Sequence, residues 1–378
     1  MVIKKTDHGY SIDVSLGIDP ITKKQRRKKQ SNIMTKKEAI NIETQYIRLY
    51  HENKLVASGS YTLEDIQKIY LEKYTKNQKL TYIRSQKELF KNHIQPYFKD
   101  TKITTIKFNQ VNEFQNYLLT KNSKATMKLL SKNTINKILI LLGKLFKVAI
   151  KENVLNENPC RSLEKLKFQK NEMNFWTVEE FKVFLSGIDT EEQHLILFYQ
   201  VAFFTGLRAG ELIALKWDDL DFTRNEIRVN KTTSLINGNY ITTHPKTSHS
   251  DRYVTINNKL AQRLKHWKTL QPQYLVDHFQ NICAEDLFIF QYNENHPSRD
   301  YFGRRINKII KTKKLPISPI RLHDFRHSHV ALLIHNGEDP TAIKTRLGHA
   351  SITTTIDTYG HLYPNKQKSM SDKLDNLL

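Results

Sequence analysis

Apolar and polar residues alternate through Tyr10, Ile12, Val14 and Leu16, which is the period of a half-buried strand. Gly17-Ile18-Asp19-Pro20 then reads as a turn into a partner strand. Thr35 is placed to cap a helix carrying Ala39, Ile40, Ile42 and Tyr46 to about residue 53. The first unit is therefore expected to be a β-ribbon packed on one helix, with Val56-Ala57-Ser58-Gly59-Ser60 as a linker. From residue 61 the period becomes helical. Thr62 and Asp65 have the spacing of a capping box ahead of Ile66, Ile69 and Tyr70. Leu89, Phe90, Ile94 and Tyr97 keep helical spacing, and Val111, Phe114, Tyr117 and Leu118 mark a third helix. Ile135, Ile138, Leu139, Leu142, Leu145, Phe146 and Ala149 form the widest stripe, suited to a bundle core. A four-helix domain is expected, closed by Asn158-Pro159 and the polar stretch 165–174. Helical patterns follow at 177–186 and 191–204. Ile227, Val229, the turn Asn237-Gly238, and 240–242 and 253–256 then predict a short antiparallel sheet with a hairpin. Helix resumes from about residue 261. The expected fold class is multidomain and mainly α with small β-sheets (α+β), with domains at 1–58, 61–167 and 175–378.

Charge changes this picture from architecture to partner. The chain of 378 residues carries 60 Lys and Arg against 38 Asp and Glu, a formal charge of +22. An excess of that size calls for an anionic partner, and nucleic acid is the commonest one. A merely soluble basic surface or an anionic membrane are the other readings. Lys23, Lys24, Arg26, Arg27, Lys28 and Lys29, broken only by Gln25, fall on the partner strand of the first unit. Cations on an edge strand protect it from aggregation, but this density exceeds that need and points to DNA contact. Lys121, Lys124, Lys128 and Lys132 add a basic outer surface to the helical domain. Cys160 and Cys283 are isolated, which excludes a disulfide framework or a CxxC metal pair and leaves two reduced core residues. Residues 1–10 have lysines without an apolar run behind them, and the stretches 138–142 and 195–198 are too short to span a bilayer. A cytoplasmic protein with no membrane partner is expected.

Three short segments carry candidate chemistry. In Thr205-Gly206-Leu207-Arg208-Ala209-Gly210-Glu211, the flanking glycines predict a tight bend that projects Arg208 and leads into a helix over 211–216. A guanidinium grips phosphate through two parallel bonds, and burying one demands an anion, here Glu211 or a substrate. In Arg321-Leu322-His323-Asp324-Phe325-Arg326-His327, helical spacing puts His323 and Arg326 on one face, able to converge on one phosphate. His323 and His327 are four apart but lack an acidic third ligand of the HExxH kind, so no metal is expected. In the third segment Gly348 ends one helix and Ser351 starts the next, which puts Tyr359 about two turns along, ten residues beyond His349. Singly, each is a weak signal; in a chain with 17 tyrosines, one more is normally packing.

In this order and spacing, Thr205-Gly206-Leu207-Arg208 with Glu211, His323-x-x-Arg326, and Leu347-Gly348-His349 with Tyr359 resemble the tyrosine recombinase (phage integrase) family. The fit is closest over 175–365. The helical domain resembles the family's core-binding domain, and the first unit is similar to the arm-binding domains of phage and conjugative-transposon integrases. The family also places a lysine in a β-hairpin between the two arginines. His244-Pro245-Lys246-Thr247, with Arg252, lies where that hairpin should be, although Lys231 is another lysine nearby.

What the resemblance implies is a site-specific recombinase that integrates, and also excises, a mobile element. Tyr359 would attack the scissile phosphorus, giving a 3′-phosphotyrosyl link and a free 5′-hydroxyl. Arg208 and Arg326 would stabilise charge on the non-bridging oxygens, with His323 and His349 hydrogen-bonding the same phosphate. Lys246 would protonate the leaving oxygen, His323 would help take the tyrosine proton, and Glu211 would hold an active-site residue in place. The covalent ester conserves bond energy, so no ATP or other cofactor is implied. The absence of a GxxxxGK[ST] loop and of an acidic magnesium cluster separates this chemistry from DDE transposases and two-metal nucleases.

The implied partners are double-stranded DNA at core and arm attachment sites, a homo-tetramer on DNA, and an excisionase or DNA-bending accessory protein. The implied setting is a bacterial cytoplasm, at the nucleoid. Met370, Leu374, Leu377 and Leu378 have helical spacing in the tail and suit packing on a neighbouring protomer or on their own domain. The rival readings are a dimer-resolving tyrosine recombinase, a type IB topoisomerase and a DNA-binding relative without catalysis. Residues 1–58 speak against the first, a site-specific tetrameric enzyme differs from the second, and the intact residue set speaks against the third.

Overall fold

The alternation at Ile12, Val14 and Leu16 becomes the central strand of a three-stranded antiparallel sheet in the computed structural model. The structure describes residues 2–18, 24–51, 61–124, 126–168, 173–244, 251–279, 287–348, 351–353 and 359. The sheet order is β1 (Val2–Thr6), β2 (Gly9–Ile18), β3 (Gln25–Ile33). The sequence pattern had offered two strands; β1 was hidden because Lys4-Lys5 breaks its alternation. β2 also runs on through Gly17 and Ile18, the first half of the expected turn. Helix α1 (Lys36–His51) starts at Thr35, whose Oγ1 accepts the Glu38 N–H at 3.2 Å, and covers a small core of Ile12, Val14, Leu16, Ile33 and Ala39.

The chain divides into two compact units, Met1–Lys170 and Asn171–Leu378. Besides the sheet, the first unit contains a helical bundle with its own core: α2 (Leu63–Tyr74), α3 (Leu80–Leu89), α4 (Gln95–Phe98), α5 (Phe108–Thr120) and α6 (Lys132–Lys151). The Thr62–Asp65 capping box forms at the head of α2. Helix α6 buries Ile135, Ile138, Leu142, Leu145 and Phe146, as its stripe required. Between α3 and α4 the helix widens into a π-type turn over Phe90–Ile94. Pro96 follows and has no N–H for the Asn92 carbonyl, which instead accepts from Lys121 Nζ at 3.0 Å. Cys160 is half-buried with a free thiol, and Cys283 lies outside the described residues, as does the expected linker 56–60.

In the second unit α7 (Val178–Ser186) begins with a Thr177–Glu180 capping box and packs on α8 (Gln193–Thr205). Nearly every side chain of α8 is buried, so it is the central helix of its core; Phe203 stacks on Phe181 and Phe198 on Phe302. Helix α9 (Ala209–Leu212) is shorter than the 211–216 helix expected from sequence. Leu212, Ile213, Ala214 and Leu215 are all buried, which a one-sided helix cannot achieve, and the Leu215 carbonyl accepts from Ile289 N at 3.0 Å. The expected sheet is two small ones. One has the order β4 (Leu220–Asp221), β5 (Glu226–Val229), β8 (Arg252–Thr255); the other pairs β6 (Thr232–Ile236) with β7 (Asn239–Thr243). Asn237 and Gly238 join β6 to β7 with φ of 52° and 84°, the left-handed pair that a two-residue hairpin needs. Helices α10 (Asn258–His278), α11 (Arg299–Thr312), α12 (Asp324–His335) and α13 (Pro340–Leu347) complete the unit. No helix among the described residues is long and apolar enough to cross a membrane.

Candidate active site

The corner after α8 is set by Gly206. It ends the helix at φ +63°, and a Cβ there would sit 2.7 Å from His329 Cδ2 and 3.0 Å from Leu347 Cδ2. The chain can therefore turn against α12 and α13 and present Arg208 at the head of α9. Glu211 fastens that arginine twice: Oε2 accepts its backbone N–H at 2.9 Å, and Oε1 accepts from Nη1 at 2.8 Å. The same buried carboxylate takes Arg252, with Nη2 3.0 Å from Oε2. Burial pushes the Glu211 pKa up, but Arg252 and then Arg208 more than reverse this, so the group is held ionised. One carboxylate thus serves two guanidiniums, and Arg208 keeps 39% of its side chain exposed.

Arg326 approaches from α12 and is almost fully buried. Its Nη1 donates to the Gly206 carbonyl and its Nη2 to the Leu347 carbonyl, each at 2.8 Å. These are the C-terminal ends of α8 and α13, where the helix dipole is negative. Burial, then the neighbouring Arg208, pushes the Arg326 pKa down to about 9. A second brace comes from Arg346, which donates to the Phe204 carbonyl at 3.0 Å, the Thr255 carbonyl at 3.1 Å and His329 Nε2 at 3.0 Å. Its own carbonyl accepts from Arg252 Nε at 2.8 Å. With Glu211 shared by two of them, the guanidiniums of Arg208, Arg252 and Arg326 leave the corner with a surplus of positive charge suited to a phosphate.

Tyr359 is 2% exposed and packs on Val330, Ile334, Ile343 and Leu347. Burial pushes its pKa up to about 12, opposed by the charge of Arg326. Its hydroxyl and Nδ1 of His327 share a 2.7 Å hydrogen bond. His323, the histidine singled out from sequence as a proton acceptor, is at the start of α12, its ring edge-on to His327 at 5.2 Å. The corner therefore brings together Arg208, Glu211, Arg326 and Tyr359, with His323 one turn away. Lys246 and His349 lie outside the described residues. Lys231 is paired with the buried Asp219 at 2.8 Å. Three residues join the site that sequence reasoning had not assigned to it: Arg252, Arg346 and His327.

Of the basic strand, Lys23 lies outside the described residues. Arg27 and Lys29 stand opposite Ser15 and Asp13 in the register, on the sheet face away from the core residues Ile12 and Val14. Arg27 Nε is 2.8 Å from Asp13, and that hydrogen bond holds the Asp13 carboxyl below its ordinary pKa. Lys28 faces Val14 and is exposed, as is Lys24, whereas Arg26 turns inward and donates to the Glu152 carbonyl at 3.3 Å.

Two buried histidines make the second unit acid-sensitive. Burial, then Arg346, pushes His329 down to about 3; burial, then Arg305, does the same to His194. Above pH ~6.5 neither the folded nor the unfolded state protonates them. Below it the unfolded chain takes up protons that the folded chain refuses, so stability falls towards pH ~3, by ~2 kcal/mol per group at pH 5. Thermal melts at pH 7.5 and 5 should show the loss, and His194→Gln, which keeps a partner for the Tyr301 hydroxyl, should shrink it. An unchanged slope in that variant would rule His194 out.

Residues 174–366 match the Phage integrase family, and residues 62–119 match the Phage integrase N-terminal SAM-like domain. The ICEBs1 integrase of Bacillus subtilis (strain 168) is 42% identical over the full length of both chains. Among solved structures, the Tn1549 transposon integrase in complex with transposon right end DNA is similar with a TM-score of 0.68 and 21% identity, over 84% of this chain and 99% of that one. The lambda integrase, solved as a tetramer bound to a Holliday junction, is similar with a TM-score of 0.58 and 16% identity, over 97% and 95%.

Proposed function

The chain belongs to the phage integrase family and is a site-specific tyrosine recombinase that integrates a mobile element, and from that premise we propose that Tyr359 is its nucleophile. The observation that carries the reading is the convergence of the Arg208–Glu211 pair and Arg326 on one helix corner, with the Tyr359 ring packed in the cluster of Leu347, whose carbonyl Arg326 holds. A scissile phosphate docks on Arg208 and Arg326, whose guanidiniums take up the charge that builds on its non-bridging oxygens. Tyr359 Oη attacks phosphorus, the 5′ oxygen leaves, and a 3′-phosphotyrosyl ester remains. Lys246 protonates the leaving oxygen, while His323 and His349 hydrogen-bond the phosphate. Glu211 holds Arg208 in position. The reverse attack by a 5′-hydroxyl rejoins the strand without ATP, which also allows excision.

Three domains divide the work in this reading: 1–58 binds arm sites, 61–167 binds core sites, and 175–378 cuts. Lys24, Arg27, Lys28 and Lys29, together with Lys23, supply the arm contacts, and the exposure of Arg27 and Lys29 on the sheet face away from the core supports this. Arg26 is the weakest member, since it is turned towards Glu152. Double-stranded DNA is the substrate and a homo-tetramer the working form; the shared fold with an integrase solved as a tetramer on a Holliday junction supports the latter. An excisionase or DNA-bending protein sets the direction of reaction. The enzyme acts in the bacterial cytoplasm, at the nucleoid.

The test is covalent capture. A nicked half-site cut from the end junction of the element that encodes the protein is incubated with the enzyme in EDTA and without ATP. The expected product is a detergent-stable protein–DNA adduct with release of a 5′-hydroxyl strand. No adduct, or a protein joined to a 5′ end, would contradict the reading.

A further inference from the structure

A phenol that attacks phosphorus must lose its proton, and at Tyr359 the surroundings restrict where that proton can go. The residue is 2% exposed, so bulk water has little access to its hydroxyl. Val330 and Ile334 of α12 and Ile343 and Leu347 of α13 form an apolar bed for the ring. His327, Val330 and Ile334 follow one another at helical spacing on α12, so the imidazole continues the same face as its polar end. Nδ1 of that imidazole is 2.7 Å from Oη, with the ring planes inclined at 56°. His327 also follows Arg326 directly in the chain, so one helix turn carries both a phosphate-binding guanidinium and a base.

We propose that His327 is a catalytic residue of the strand-cleavage step: its Nδ1 accepts the hydrogen bond of Tyr359 at rest and takes the proton as Oη attacks. This rests on the reading of Tyr359 as nucleophile and replaces His323 in the role of proton acceptor. In the forward step the Oη–P bond forms and the P–O5′ bond breaks. The leaving O5′ keeps the bonding pair and takes a proton from the general acid, assigned above to Lys246, while the phenolic proton moves to Nδ1. Rejoining reverses both transfers, and nothing is oxidised or reduced. The tautomer required has its proton on Nε2, which leaves Nδ1 with a lone pair towards Tyr359.

The groups whose charge reaches His327 are His323, Asp324, Arg321, Arg326 and Tyr359. Burial, then His323, pushes its pKa down to about 4, so at neutral pH it is an empty acceptor rather than a cation. A phosphate bound beside Arg326 brings negative charge to the site and strengthens the base at the moment it is needed.

Single-turnover adduct formation on the half-site, followed from pH 5.5 to 9, tests this in wild type, His327→Ala, His327→Asn and Tyr359→Phe. DNA affinity and melting temperature are measured in parallel. Asparagine puts an oxygen near the Nδ1 position, so it keeps a hydrogen-bond acceptor but cannot take the proton. Both His327 variants are expected to bind DNA as wild type does and to form adduct ~10²–10⁴-fold more slowly at pH 7. Their rates should rise with pH where that of wild type is flat. Wild-type rates in either variant would overturn the proposal; in the asparagine variant they would show that the imidazole only positions the phenol. Adduct formation by Tyr359→Phe would instead overturn the nucleophile assignment, so the two failures are distinct. Should His327→Ala fold poorly, imidazole ¹⁵N shifts of the wild-type protein decide the resting state. A proton on Nε2 that persists from pH 8 to 5 is expected, and a proton on Nδ1 would overturn it.

Discussion

Tyr359→Phe is expected to bind its DNA with unchanged affinity and to form no covalent adduct, a loss of at least ~10⁴-fold. The substitution removes one oxygen from a ring held in an apolar cluster with Val330, Ile334, Ile343 and Leu347. The hydrogen bond lost is the one to His327, a side chain only partly buried and so able to find water instead. The cost in stability should therefore stay within ~1 kcal/mol. Unchanged melting and binding with vanished cleavage is the signature of a lost nucleophile. A parallel fall in all three would mean that the ring, not its hydroxyl, was needed.

The second large effect is expected at Arg326. Its guanidinium spans the Gly206 and Leu347 carbonyls, so it braces two helix ends as well as serving the proposed phosphate site. Lysine has the charge but cannot reach both carbonyls with a planar fork. Arg326→Lys is expected to slow adduct formation ~10²–10³-fold, the usual loss when one preorganised donor to a developing anion is removed. Arg326→Ala should be slower still and cost ~2 kcal/mol in stability. Two buried carbonyls lose their donor there, although relief from burying a cation offsets part of that cost. Urea melts and single-turnover rates separate the two effects. Arg326→Lys with full activity would remove the residue from the phosphate site.

Which parts of this were legible in the sequence follows from the range of the interactions. The capping box at Thr62–Asp65, the stripe of α6 and the Asn237-Gly238 turn are settled within a few residues, and each formed as read. β1 was missed because its hydrogen bonds come from β2 rather than from its own pattern. The early end of α9 was missed because Leu215 is claimed by Ile289, far along the chain. The same division runs through the site. Arg208 with Glu211, and His323 with Arg326, are spaced so that their local geometry could be inferred. The clamp of Glu211 on Arg252 and the brace of Arg346 on Phe204 and Thr255 join distant segments, and no periodicity announces them. His327 was visible at four residues from His323, but that spacing was weighed only as a metal pair, which the lack of an acidic third ligand set aside. Its partner 32 residues on is a matter of tertiary packing.

The central claim is that one particular oxygen, Oη of Tyr359, becomes bonded to DNA. The adduct trapped on a half-site can be digested with nuclease and trypsin and its nucleotide-bearing peptide sequenced by mass spectrometry. The predicted result is a single modified peptide in which Tyr359 carries the 3′ phosphate of the cut strand. A nucleotide on any other residue, or a link through a 5′ phosphate, would contradict it.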